Sequence, residues 1–253
     1  MSWRVVSASE VGTSHGQTGT PCQDSCWAQV YELDSGLPLL SIFVSDGAGS
    51  AARGGDGAEL AIQSAVNFLS EKLRQGEFGL NDRLATELTL AVRNHIYDVA
   101  EKEGLVARDF ACTFLGLLSS PLGTLAFQIG DGGVVVDVGA GLELAVVPMS
   151  GEYANMTSFV TDENAIDVLS TKAYPDQVFR AAVFSDGIQR LALNMTSNTP
   201  HEPFFAPFFK TLKTATVEQE DQLQALLAKF LSSQAVNERT DDDKTLALAV
   251  LLK

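Results

Sequence analysis

Two long stretches of helical periodicity follow one another directly, with strand-like runs on both sides. That order restricts the fold more than any other feature of the chain. From Asp56 to Leu73, residues Ala58, Ala61, Ile62, Ala65, Val66, Leu69 and Leu73 recur at the spacing of one helix face. Gly76 and Gly79 punctuate its end. From Asp82 to Glu103, Leu84, Leu88, Ala91, Val92 and Val99 mark a second face. Before this pair, residues 3–9, 25–33 and 38–45 have strand character, with a turn at Asp34-Ser35-Gly36. After it, residues 110–119, 123–130, 133–138 and 142–148 are short apolar runs joined by glycine-rich turns, which predicts an antiparallel meander. The polar, weakly periodic stretch 149–177 predicts a long loop with short helical pieces. Strand 178–185, helix 217–232 and the strongly apolar strand 244–252 complete the chain. Helices grouped in this way, rather than alternating with single strands, argue against Rossmann and TIM architectures. They predict an α+β fold of two packed antiparallel β-sheets flanked by helices.

The chain has 253 residues, 45% of them hydrophobic. Without a repeat or linker, this predicts one domain over residues 1–253. No run approaches the roughly 18–20 apolar residues of a membrane span. The start, Met1 to Ser7, lacks the apolar run and cleavage site of a secretory signal, so a cytoplasmic protein is expected. Cys22, Cys26 and Cys112 are too few for a disulfide framework and lack zinc-ligand spacing; reduced thiols are expected. The formal net charge of −15 disfavours nucleic acid and anionic membranes as partners. Acidity alone fits either a repelling, soluble surface or carboxylates offset by bound cations. Position separates the two.

Apolar strands end repeatedly in an acid and a glycine. Residues 42–47 read Ile-Phe-Val-Ser-Asp-Gly, 127–132 read Phe-Gln-Ile-Gly-Asp-Gly, and 182–187 read Ala-Val-Phe-Ser-Asp-Gly. Asp-Gly is also a favoured hairpin turn, which requires a second strand immediately after it. Asp131-Gly132 meets that test, because Gly133-Val134-Val135-Val136 follows, so the turn reading stands first there. Asp46-Gly47 leads into a small-residue loop and a helix, and Asp186-Gly187 into no clear strand. A strand-end carboxylate beside a glycine suits a hard cation such as Mg²⁺ or Mn²⁺, and Gly47 could offer its carbonyl unobstructed. Asp24 precedes strand 25–33, and Asp241-Asp242-Asp243 precede strand 244–252. A carboxylate of that triplet held near the buried sheet needs compensation; the other two read as solvated bystanders.

The ordered set Pro21-Cys22-Gln23-Asp24, Ser45-Asp46-Gly47-Ala48-Gly49, Gly130-Asp131-Gly132, Ser185-Asp186-Gly187 and Asp242-Asp243-Lys244-Thr245 resembles the metal-dependent type 2C (PPM) Ser/Thr protein phosphatases. The resemblance runs from about Ser7 to Leu252. Gly151-Glu152-Tyr153-Ala154-Asn155 looks most like a compact bacterial branch. It implies an α-β-β-α sandwich with a centre for two Mn²⁺ or Mg²⁺ ions and a weaker third. Asp46 would bridge the two metals, and Gly47 would give a carbonyl. Asp24 would bind directly or through water, and Asp186 and Asp242 would complete the ligand set of the second metal. Asp131 and Asp186 would serve the third ion. A metal-bridged water would attack phosphorus, so no nucleophilic side chain is needed. The implied partners are a phosphorylated protein substrate and a cognate Ser/Thr kinase.

The chain departs from the family pattern in several places. Gln23 stands where Glu is usual, and Ala48 where some members carry a His. Gly19 stands where an Arg binds phosphate, leaving His15 or Arg53 as substitutes. Arg190 stands where a further Asp is common, and is a third candidate for the substrate phosphate. The departures at Gln23, Gly19 and Arg190 motivate an alternative: a non-catalytic member of the fold that binds a phosphorylated partner.

Overall fold

The computed structural model describes residues 2–76, 79–146 and 157–252. Strand β1 (Ser2–Glu10) is followed by the short helix α1 (Thr13–Thr18), then β2 (Asp24–Glu32) and β3 (Pro38–Asp46). Helices α2 (Gly54–Gln75) and α3 (Asp82–Glu103) come next. Then follow β4 (Phe114–Ser120), β5 (Gly123–Ile129), β6 (Gly133–Asp137), β7 (Leu142–Leu144), β8 (Ser170–Tyr174) and β9 (Arg180–Phe184). A 3₁₀ turn (Asp186–Ile188) leads to α4 (Gln189–Ala192) and a small ribbon of β10 (Leu193–Asn194) and β11 (Thr199–Pro200). The chain ends in α5 (Glu202–Thr214), α6 (Glu220–Leu231), α7 (Gln234–Asn237) and β12 (Lys244–Leu252).

Two five-stranded sheets result, in the orders β1-β12-β9-β6-β7 and β2-β3-β4-β5-β8. Every pairing in them is antiparallel. Strand alternation sorts the side chains into layers. In β3, Leu39 and Phe43 face α2 and α3, while Leu40, Ile42 and Val44 face the other sheet. In β12, Ala247 and Ala249 face inward between the sheets, while Leu246, Leu248 and Val250 meet Phe205, Phe209, Leu227 and Leu231 of α5 and α6. The layers are therefore helix, sheet, sheet, helix, as expected. Phe43, Phe114 and Phe127 are fully buried beneath α2 and α3, with ring centroids 5.4–6.3 Å apart. Burial of a side chain of that size is worth about 1.5–3 kcal/mol.

Several expected elements are corrected. The 110–148 block is not one meander. β4 and β5 pair in one sheet, and β6 and β7 in the other. Asp131-Gly132 is therefore the crossing between sheets and not a hairpin turn. Strands buried on both faces show no alternation, so periodicity cannot say which sheet each joins. The run 110–119 begins with a 3₁₀ turn (Ala107–Phe110) before β4. The run 142–148 shortens to Leu142–Leu144, and its last two residues lie outside the described ones. So does the Gly151–Asn155 motif. The expected loop 149–177 contains β8, a partly exposed edge strand paired with β5. Helix α5 went unread because Pro203 and Pro207 resemble breakers. Pro203 sits in the first turn, where no N–H is needed, and Phe205, Phe209 and Leu212 bury the inner face. Cys22, Cys26 and Cys112 are free thiols.

Candidate metal centre

Acidic strand ends meet at one end of the sandwich. β2 begins and β3 ends there, and their register pairs Asp24 with Asp46. β9 ends at Phe184, opposite Leu246 of β12. The Ser185-Asp186-Gly187 turn thus lies beside the segment that enters β12. Ser185 N donates to Thr245 O at 3.2 Å, and Thr245 N donates to Ser185 Oγ at 3.0 Å. Asp131 arrives with the crossing from β5 to β6. A cleft of about 210 Å³ opens here, and Asp46, Gly47, Asp131, Asp186, Asp242 and His15 are among its lining residues.

Local packing explains the glycines. A Cβ on Gly47 would overlap the backbone of Gly54 and Gly55, where α2 begins. One on Gly187 would overlap the carbonyl of Asp243. Each Asp-Gly pair puts a carboxylate at the cleft and lets another segment pass directly behind it. Thr113 braces Asp46: its Oγ1 accepts from Asp46 N at 2.9 Å, and its own N donates to Asp46 O at 2.8 Å.

The electrostatics are those of an uncompensated acidic cluster. Asp24 is buried under the others; Ser185 Oγ and Thr245 Oγ1 each donate to its Oδ2 at 2.7 Å. Its Oδ1 has no hydrogen-bond partner, and neither has Oδ1 of Asp186. Burial, followed by the charges of Asp24 and Asp186, pushes Asp46 up to about 11. Burial raises Asp24 to about 7, with the two hydroxyls pulling the other way and Asp243 and Asp186 adding to the rise. Burial and then Asp131 raise Asp186 to about 6. No Lys or Arg is among the described residues lining the cleft. Buried carboxylates without cationic partners are strongly unfavourable. Oxygen donors of this type, with orphaned oxygens, could hold hard divalent cations.

Of the residues singled out in the sequence, Asp46, Gly47, Asp131, Asp186, Asp242 and His15 come together in the cleft. Asp24 adjoins it from below. Arg53 does not reach it: its guanidinium pairs with Asp56 and, at 2.9 Å, with Glu103, and lies over the Phe110 ring. Arg190 is exposed on α4 and does not line the cleft.

Asp243 corrects its reading as a bystander. It is only 2% exposed and accepts from Gly12 N and Gln23 N, both at 2.6 Å, and from His15 Nδ1 at 2.9 Å. Asp241, by contrast, is exposed as expected. Ser185 and Thr245 were also missed. Their signal was present: Ser precedes Asp-Gly at both Ser45 and Ser185, and Thr245 follows the acidic triplet at the first inward position of β12.

A sequence model of the family described as protein phosphatase 2C matches residues 11–232. Serine/threonine-protein phosphatase 3 of Escherichia coli (strain K12) is 59% identical over 250 residues, covering 99% of each chain. Among solved structures, the catalytic domain of the serine threonine protein phosphatase PstP, in complex with 2 manganese ions, gives a TM-score of 0.62 at 18% identity, covering 99% of each chain. Serine/threonine phosphatase Stp1 from Staphylococcus aureus gives 0.60 at 15% identity, covering 100% of this chain and 96% of that one. At such identities the structural likeness shows a shared fold.

Proposed function

The chain belongs to the protein phosphatase 2C family, and we propose that the acidic cleft is where it binds two Mn²⁺ or Mg²⁺ ions and cleaves phosphate esters. It is a metal-dependent serine/threonine protein phosphatase acting on phosphoserine and phosphothreonine. One observation carries the assignment of the site: carboxylates from separate strand ends converge, with orphaned oxygens and raised proton affinities, and no Lys or Arg among the described residues that line the cleft.

Asp46, Asp186 and Asp242 are the proposed carboxylate ligands, with the Gly47 carbonyl beside Asp46. Asp131 is proposed for a third, weaker ion. Asp24 supports the cluster from beneath, its Oδ2 fixed by Ser185 and Thr245 and its Oδ1 without a hydrogen-bond partner. Divalent ions held here supply an activated water and offset phosphate charge. Asp46 and Asp186 must stay ionised to hold them. Of the three residues considered for the substrate phosphate, His15 alone lines the cleft. The departures at Gly19, Gln23 and Arg190, which motivated a non-catalytic reading, lie outside the lining.

A phosphoserine or phosphothreonine substrate requires a kinase to form it, so a cognate Ser/Thr kinase is the proposed counterpart. No described helix is long and apolar enough to cross a membrane. Together with the net charge of −15, this supports a cytoplasmic protein without a nucleic-acid partner. The test is release of phosphate from a phosphothreonine peptide with Mn²⁺, with chelator, and with Asp46→Ala. Mn²⁺-dependent turnover that disappears in the variant is expected, with the fold retained by circular dichroism. Turnover in chelator, or an Asp46→Ala rate equal to the parent's, overturns the assignment.

A further inference from the structure

Expulsion of a serine or threonine oxygen from phosphorus needs a proton, because the free alkoxide is a poor leaving group. The carboxylates of the cleft are committed to cations, and Ala48 next to Gly47 has nothing to donate. His15 is the one imidazole among the described residues that line the cleft.

Its setting is built. Helix α1 is tied to the entry of β12 by Ser14, whose N and Oγ both donate to Asp241 O, at 3.0 and 2.7 Å. This brings His15 Nδ1 to 2.9 Å from Asp243 Oδ2. Backbone donors from Gly12 and Gln23, both at 2.6 Å, hold that carboxylate still. A carboxylate facing three donors is an acceptor, so Nδ1 carries its proton toward Asp243. The ring orientation is thereby set. Nε2, on the other side of the ring, has no hydrogen-bond partner among the described residues. The side chain is 21% exposed, open to the cleft, while that of Asp243 is 3% exposed. Such a carboxylate behind an imidazole fixes its tautomer and its orientation.

We propose that His15 is the general acid of the phosphatase reaction and that Asp243 positions it. This rests on the phosphatase reading of the cleft. The attacking water forms its bond to phosphorus as the bond from phosphorus to the ester oxygen breaks. The released electron pair on that oxygen takes the proton from Nε2 of the protonated ring. Serine or threonine leaves as the alcohol, and the imidazole remains neutral with Nδ1–H still on Asp243. The proton lost by the water passes to solvent, from which Nε2 is reprotonated before the next turnover.

A general acid matters only when the leaving group is basic. His15→Ala and His15→Gln are therefore compared with the parent on two substrates, with Mn²⁺ saturating. p-Nitrophenyl phosphate releases a stable phenolate and needs no proton; a phosphothreonine peptide releases an alkoxide. The expected result is a fall of about 10²-fold or more in kcat on the peptide. On p-nitrophenyl phosphate the loss is expected to be at least tenfold smaller than on the peptide, and a Mn²⁺-induced rise in Tm equal to the parent's shows that the variants keep an intact, loaded site. Equal losses on both substrates would assign His15 to phosphate binding or to folding and overturn the proposal. So would unchanged peptide turnover. If the parent hydrolyses neither substrate, the phosphatase reading fails and takes this proposal with it.

Discussion

Removal of the divalent cations should make the stability of this protein depend on pH in one direction. In the metal-free protein Asp186 titrates at about 6 and Asp24 at about 7, against an ordinary 3.8. A folded-state pKa above the unfolded one means that the stability contribution is complete below pH ~3.8 and is lost as pH rises through the folded value. For these two the loss falls between about pH 4 and pH 7, and Asp46, pushed up to about 11, adds a loss that continues above that window. For Asp24 the rise from 3.8 to about 7 corresponds to ~4 kcal/mol. The Asp186 shift overlaps with it, because the two share their mutual repulsion, so ~4 kcal/mol is the scale for this pair. In a chain of this size that is about 10 °C in Tm. Bound cations cancel the repulsion and bind more tightly as the protons leave. The measurement is thermal unfolding from pH 4 to pH 8, after chelator treatment, with and without Mn²⁺. The Mn²⁺-induced rise in Tm should grow by about 10 °C across that range. Asp137 titrates in the opposite sense: burial works against ionisation, but bonds from Gly139 and Arg180 hold it below the ordinary range. It is present equally in both arms and cancels in the difference. Asp46→Asn should stabilise the metal-free protein at pH 8 and remove most of the Mn²⁺ effect. A Mn²⁺ shift independent of pH, or one retained in full by Asp46→Asn, would refute the reasoning.

Two further substitutions test how the site is built. Asp243→Ala leaves the N–H groups of Gly12 and Gln23 buried without an acceptor, at about 1–3 kcal/mol each, so urea unfolding should show a loss of roughly 2–5 kcal/mol. The exposed Asp241→Ala should stay within about 0.5 kcal/mol, and a comparable loss there would contradict the different roles assigned to the two. Gly47→Ala forces a methyl group into the backbone of Gly54 and Gly55. It should lower Mn²⁺ affinity and Tm together, and a normal Mn²⁺ titration in that variant would show that the strand-to-helix contact does not set the site.

The sequence made the fold legible where one face of an element is wet. Periodicity predicts helices α2 and α3 almost to their ends, because Ala58, Ala65, Leu88 and Val92 alternate with exposed positions at the helical period. β5 and β6 look like one meander in the sequence because both are buried on two faces, and the pattern that would separate them does not exist. α5 was obscured by prolines that the helix tolerates. The acids of the site were legible as strand ends. The roles of their supports were not: Asp243 looks like Asp241 and Asp242 until the chain closes, because its partners at Gly12, His15 and Gln23 lie more than two hundred residues away.

Parity along the strands connects the core to the site. Leu40, Ile42 and Val44 point between the sheets, and Asp46 is the next residue on that face. The same holds for Ala249, Ala247 and Thr245 in β12, and for Ala181, Val183 and Ser185 at the end of β9. Cys26 packs against this layer and Asp24 continues it. The cleft is thus the last rung of the inter-sheet core, with carboxyl and hydroxyl groups where the earlier rungs carry apolar side chains. An acid at a core-facing position has nowhere to turn for water, which raises the proton affinity of Asp24 and Asp46 in the absence of a cation. The register that aligns the apolar rungs also aligns the acids, so the geometry of the centre is inherited from the sandwich. Stability of the empty protein and affinity for cations must then oppose each other at this rung. Each carboxylate that strengthens the centre weakens the unoccupied core.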